Sequence, residues 1–176
     1  PRPFNFAEDL GHEVDRVYTD RKSRASDRNI EWMTAVALDI DPVRPKGESS
    51  SDEKHEEALA FAKKISEDIG GSVDDSGNGS YVWIPINPIK INNENRETIK
   101  AKCKVWEAQI RERYQTEDCG MKIDPVFELS RILKVIGTIS VKGEIHRRSK
   151  FHTPPMMEPH QSLDQEILDI SVKIKD

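Results

Sequence analysis

The chain has little of what would place it in a membrane, a disulfide scaffold or a zinc module. No apolar run approaches the roughly 20 residues that span a bilayer, and no signal peptide is visible. Cysteine is scarce: Cys103 and Cys119 are the only two, in no zinc-ligand spacing. Cys103 falls on the apolar side of a helical pattern, where a reduced core thiol is expected. A cytoplasmic setting follows from that. Internal repeats and low-complexity tracts are missing as well. Excess positive charge is also lacking, since the net charge is −5, which argues against a simple nucleic-acid binder. What remains is 176 residues, 35% hydrophobic and 34% charged. That composition suits one globular domain over residues 1–176, or two small subdomains sharing a core. The chain opens at Pro1 without a Met, as a fragment or a trimmed chain would.

The charge is unevenly spread. Residues 39–75 carry eleven acids and five bases, whereas residues 122–152 carry seven bases and three acids. An acidic stretch facing a basic one is what a metal-plus-phosphate site needs, although ordinary surface charge would look the same. The acidic stretch opens with "ALDIDP", an apolar run that ends in Asp39 and Asp41. In a strand these two share a face, roughly 7 Å apart. Repulsion and desolvation both penalise that arrangement unless a cation sits between them.

The periodicity predicts a mixed α/β fold, with a small sheet flanked by helices. After the "ALDIDP" strand, Ser50 and Glu53 form a capping box for a helix. Its apolar stripe is Ala58, Phe61, Ala62, Ile65 and Ile69, and Gly70-Gly71 stop it. The loop "SVDDSGNGS" leads into "YVWIPI", a strand closed by Pro85 and Pro88. A second helix over 94–114 places Ile99, Cys103, Trp106 and Ile110 on one face. "MKIDP" reads as a strand ending in Asp124. "PVFELSRILKVIG" reads as a helix starting at Pro125, and "TISVKGE" as a strand or hairpin arm. A capped helix starts near Ser162 and covers about 162–170.

Three acids, Asp39, Asp41 and Asp124, thus stand at the carboxyl ends of apolar runs. Oxygen ligands of this kind suit Mg²⁺ or Mn²⁺. In "SGNGS", Ser76, Gly77, Asn78 and Gly79 could let backbone N–H groups approach an anion, or simply form a turn. No G-K-[ST] follows, so it is not a Walker loop. The basic stretch holds Arg131, Lys142 and the run "HRRSK", with Arg147, Arg148 and Lys150. Such density suits triphosphate or a nucleic-acid backbone, or a solvated hairpin.

The order of these blocks carries more information than any one of them. "ALDIDPVRPKG", then "SGNG" entering a strand, then "IDP…SRILKVIGT…KG" resembles the archaeo-eukaryotic primase superfamily, and most of all the primase-polymerase catalytic domains of plasmids and viruses. The similarity covers about residues 30–150. It implies a catalytic core of two closely packed subdomains, and two divalent metals bound by Asp39, Asp41 and Asp124. Nucleotide contacts would come from the "SGNG" block, from Arg131 and from Lys142. The single-stranded template would lie near Arg147, Arg148 and Lys150. The implied activity is primer synthesis or extension from nucleoside triphosphates on single-stranded DNA, with a helicase region beyond the fragment's ends. One departure stands out: the family's phosphate-contacting His falls at Tyr81, which carries no positive charge near neutral pH. Two rival readings follow from the same residues. One is a primase fold that binds without catalysis; the other is a metal-dependent nuclease or phosphoesterase.

Overall fold

The computed structural model describes residues 26–173 except 126 and 132; residues 1–25 and 174–176, which the one-domain reading also takes in, lie outside. A short 3₁₀ turn (Asp27–Asn29) leads into β1 (Trp32–Pro42), α1 (Asp52–Ile69), β2 (Ser72–Asp75) and β3 (Ser80–Lys90). Next come α2 (Arg96–Tyr114), β4 (Met121–Ile123), β5 (Ile139–Ser140), β6 (Arg147–Arg148), β7 (Lys150–Phe151) and α3 (Leu163–Asp169). The fold is mixed α+β, as the periodicity predicts. Five strands form one sheet in the order β4-β1-β3-β2-β7, with antiparallel pairing throughout. β5 and β6 form a separate two-stranded sheet.

Directly paired residues share a face of a sheet. One face carries Leu38, Val82 and Val73 in one row and Ile123, Ile40, Ser80 and Asp75 in the next. α1 packs on this face, burying Ala58, Leu59, Ala62 and Ile65, and Ser80 donates its hydroxyl to the Ala58 carbonyl. Ile99, Cys103, Trp106 and Ile110 of α2 join the same core, as does Ile167 of α3. Each fully buried Ile or Leu contributes roughly 1.5–3 kcal/mol, so this cluster holds the sheet flat against its helices. Among the described residues, no helix is long and apolar enough to cross a membrane.

Four local expectations are corrected. The cap of α1 is Ser51, which accepts the Lys54 N–H, because the Ser50 hydroxyl is turned inward to the Asn78 carbonyl. The first half of "SVDDSGNGS" is a strand, β2, rather than loop. β3 runs through both prolines to Lys90. β2 pairs with it no further than Trp83, so Pro85 and Pro88 cost no ladder hydrogen bond on that edge, and a register shift against β1 absorbs the rest. The helix expected from Pro125 does not form among the described residues of 124–135. The Asp124 N–H bonds the Asp39 carbonyl, Ser130 is held by Asp27, and burial falls on Phe127 and Leu129, two apart, as in extended chain.

Candidate active site

The side of the sheet away from α1 carries the polar row. Asp39 pairs with Tyr81, Tyr81 with Asp74, and Asp74 with Phe151. Asp41 lies two residues past Asp39 on the same face, opposite Lys122 of β4. Asp124 follows β4 directly, and its N–H donates to the Asp39 carbonyl at 2.8 Å. The structure therefore brings Asp39, Asp41 and Asp124 to one end of the sheet. Their fields overlap: burial, then Asp41, then Asp124 push the Asp39 carboxyl up to about 6, against the opposing pull of Arg131.

Each carboxylate has its own cation. Arg131 reaches Asp39 at 3.1 Å, Arg44 reaches Asp41 at 3.0 Å, and Lys122 stands 2.6 Å from Asp124. In the last contact the ammonium faces the buried Asp124 Oδ1 directly. Contact with Asp124 raises the Lys122 pKa. As placed, no three His, Cys, Asp or Glu side chains among the described residues stand in a set that would hold one metal ion. The donor chemistry still fits a hard divalent cation: three carboxylates gathered at one sheet end, with Asp41 and Asp124 both opposing the charge on the buried Asp39. Holding an ion would need the side chains to turn away from their cations.

"SGNG" is the β2–β3 hairpin turn. The N–H of Ser76 bonds the Gly79 carbonyl, that of Gly79 bonds the Ser76 hydroxyl, and that of Gly77 bonds Asp75 Oδ1 at 2.6 Å. These three donors are engaged inside the turn. Asn78 is a buried clip, accepting the Ser50 N–H and donating to the Ser140 hydroxyl at 2.7 Å. Gly79 is required by space: a Cβ there would lie 2.2 Å from the Ile40 carbonyl oxygen and 2.6 Å from Asp41 Oδ1. This close approach is what seats the turn against the carboxylates.

Tyr81 lies between Asp39 and Asp74, and the Lys134 N–H bonds its hydroxyl. Burial and then Asp39 push the phenol up to about 12, so it stays neutral. Lys134 donates its ammonium to the Ser76 carbonyl at 2.9 Å, and burial lowers its pKa. Lys134, Arg44 and Lys122 escape the sequence reading, although each stands within ten residues of a named aspartate. The remaining basic residues separate. Arg131 joins the site, but from irregular chain rather than a helix. Lys142 sits in an exposed bend rather than on a strand, and has no ion pair among the described residues. Arg147 is a structural tie: its guanidinium donates to the Ser50 and Gly77 carbonyls and to Asp52. Arg148 and Lys150 are exposed, on β6 and the edge strand β7. Beneath the turn, His55 and Asp75 form a buried pair at 2.8 Å. Burial works to raise the Asp75 pKa, but the contacts from His55 and the Gly77 N–H prevail and hold it low.

Compared with models of protein families, with curated proteins and with solved structures, the chain matches none.

Proposed function

We propose that the chain is a metal-dependent nucleotidyltransferase of the primase-polymerase kind, joining nucleoside triphosphates to a primer on single-stranded DNA. A cytoplasmic setting and a helicase region elsewhere in a longer protein belong to the same proposal. The observation that carries it is the gathering of Asp39, Asp41 and Asp124 at one sheet end, with Asp39 pushed up to about 6 by burial and by its two neighbours. Such a site is costly without a cation. Asp39, Asp41 and Asp124 would hold Mg²⁺ or Mn²⁺, which when bound would lower the pKa of the attacking hydroxyl and offset the charge of the leaving pyrophosphate.

The chain's own residues then divide the remaining work. Arg131, Arg44 and Lys122, released from their carboxylates, are cations already in place for a triphosphate tail. Lys134 stands at the turn beside Tyr81, where the neutral phenol can offer one hydrogen bond but no charge. Phe127, Leu129, Arg131 and Leu133 line a pocket with Ala37, Trp83 and Asp39, beside the Asp39 end of the face.

A binding module without catalysis is the second reading, favoured by the self-paired carboxylates and by the neutral Tyr81. Primer extension with each divalent metal separates the alternatives. Template-dependent extension that Asp41→Ala and Asp124→Ala both abolish supports transfer. Oligonucleotide and nucleotide binding without extension supports the module, and metal-dependent degradation of the primer supports a nuclease.

A further inference from the structure

Asp74 is a carboxylate of the open face that the candidate site does not use. It stands between two aromatic residues, directly paired with Tyr81 of β3 on one side and with Phe151 of β7 on the other. Directly paired residues share a face, so the three form one row that ends at the sheet's edge. Asp39, Asp41 and Asp124 each have a cation, in Arg131, Arg44 and Lys122. Asp74 has no ion pair among the described residues, and its buried Oδ1 has no hydrogen-bond partner. Burial raises its pKa, with no cation near enough to oppose the shift. No base shares the row: Lys150 lies opposite Asp75, on the other face, and Lys134 turns its ammonium to the Ser76 carbonyl. Phe151 is 55% exposed, and among the described residues no other aromatic side chain is so open.

We propose that Asp74, Tyr81 and Phe151 form a site for a single basic side chain, an arginine of a partner protein that docks along the β7 edge. A cation over Asp74 lies one strand spacing, about 4.8 Å, from each flanking strand. That is inside the roughly 6 Å at which an aromatic ring attracts a cation. Asp74 supplies the opposite charge, and the cation offsets the cost of holding a carboxylate there unpaired. A guanidinium fits better than a metal ion, because it is weakly hydrated and lies against rings, whereas hard cations need several oxygen ligands. It also fits better than a nucleic-acid backbone, which Asp74 and the neighbouring Asp39 would repel. Because the row ends at an edge strand, a side chain can reach Asp74 from a chain lying outside β7. β7 is two residues long, so main-chain pairing adds little and the side chain carries the contact. Tyr81 separates Asp74 from Asp39, so this site stands whether or not the metal site does.

The test is a ¹H–¹⁵N NMR titration at low salt, with EDTA. The probes are a glycine–serine peptide carrying one arginine and its counterpart with neutral citrulline in that place. The arginine peptide should move the amide signals of Asp74, Tyr81 and Phe151 and leave those of Asp41 and Asp124 in place. The citrulline peptide should move none of them. Phe151→Leu keeps an apolar side chain without a ring, and should weaken binding about 2- to 30-fold. Asp74→Asn should weaken it about 10-fold or more. Since it removes an unpaired charge and Phe151 is exposed, neither variant should lower the melting temperature. Binding with this dependence upholds the proposal even where primer extension fails. Equal affinity for the citrulline peptide, wild-type affinity in either variant, or shifts spread over the acidic surface at large overturns it. N-acetylargininamide binding as tightly as the peptide also overturns it, in favour of a free small-molecule cation.

Discussion

Asp39 holds its proton to about pH 6, against an ordinary value of 3.8, because it is buried beside Asp41 and Asp124. Between those values the folded chain binds a proton that the unfolded chain has lost. Stability therefore is fully present below pH 3.8 and falls as pH rises through about 6. A shift of about two units corresponds to about 3 kcal/mol. Asp39→Asn keeps the shape and removes the charge. It should stabilise the metal-free chain at neutral pH by up to about 3 kcal/mol, abolish extension, and flatten the stability profile between pH 4 and 6. Urea melts across that range are the measurement; a variant no more stable than wild type at neutral pH would mean that Arg131 fully compensates the charge. Tyr81 poses the complementary question on the same row. Its phenol is neutral and bonded to the Lys134 N–H. An imidazolium there would give a triphosphate a charge-assisted hydrogen bond, about 1.5–3 kcal/mol or roughly 10- to 150-fold. Tyr81→His should lower the nucleotide KM by that order in steady-state extension, and an unchanged or higher KM would show a pocket rebuilt around tyrosine.

Most secondary elements were legible because their signals are local. The D-x-D strand and the stripes of α1 and α2 each lie within one short window; α3 also forms where expected, but the Ser162 hydroxyl donates to Glu166 instead of capping it, and His160 Nδ1 takes the Leu163 N–H. The segment after β4 was not legible. Its apolar spacing reads as a helix, but Asp27 takes the Ser130 N–H and hydroxyl from 103 residues away, and the Asp39 carbonyl takes the Asp124 N–H. No local pattern encodes such partners. The "HRRSK" run misleads in a similar way. Read as three alike phosphate-binding cations or a solvated hairpin, it contains β6 and the start of β7, and Arg147 fastens the start of α1 to the "SGNG" turn. Its side chain is 13% exposed and ties together the Ser50 carbonyl, the Gly77 carbonyl and Asp52. Arg147→Ala leaves two carbonyls short of a charged donor, and should cost about 2–3 kcal/mol of stability. Arg148→Ala, which loses one exposed contact, should cost less than about 1 kcal/mol. Equal melting temperatures for the two variants would contradict this division between a structural arginine and one available to DNA.

At the scale of the whole molecule, the two charge blocks of the sequence meet. Arg131 comes to Asp39, Arg147 to Asp52, and Lys134 to the carbonyl of Ser76 beside the acidic turn. The aspartates of the candidate site could be picked out from sequence because a charged pair at the end of an apolar strand is anomalous. Their cations could not: Arg44 and Lys122 stand three and two residues from Asp41 and Asp124 but carry no pattern that turns them to those carboxylates, and Arg131 reaches Asp39 from 92 residues away. The result is a site that neutralises itself at rest, with three carboxylates on three cations. A divalent ion must therefore displace those pairs, and the freed cations would then favour a polyanion. Metal and triphosphate should accordingly bind with positive coupling. With Mg²⁺ or Mn²⁺ at 100 times its dissociation constant, stabilisation should reach about 2.7 kcal/mol, visible as a raised melting temperature. A non-hydrolysable nucleoside triphosphate added with the metal should raise it by more than the two separate increments combined. Sodium chloride at matched ionic strength is the control, because screening alone weakens the repulsion among Asp39, Asp41 and Asp124. Asp124→Asn should remove the metal increment and the coupling together. If the divalent ion stabilises no more than the sodium salt, the carboxylates are held by Arg131, Arg44 and Lys122 for good, and the chain binds without catalysing.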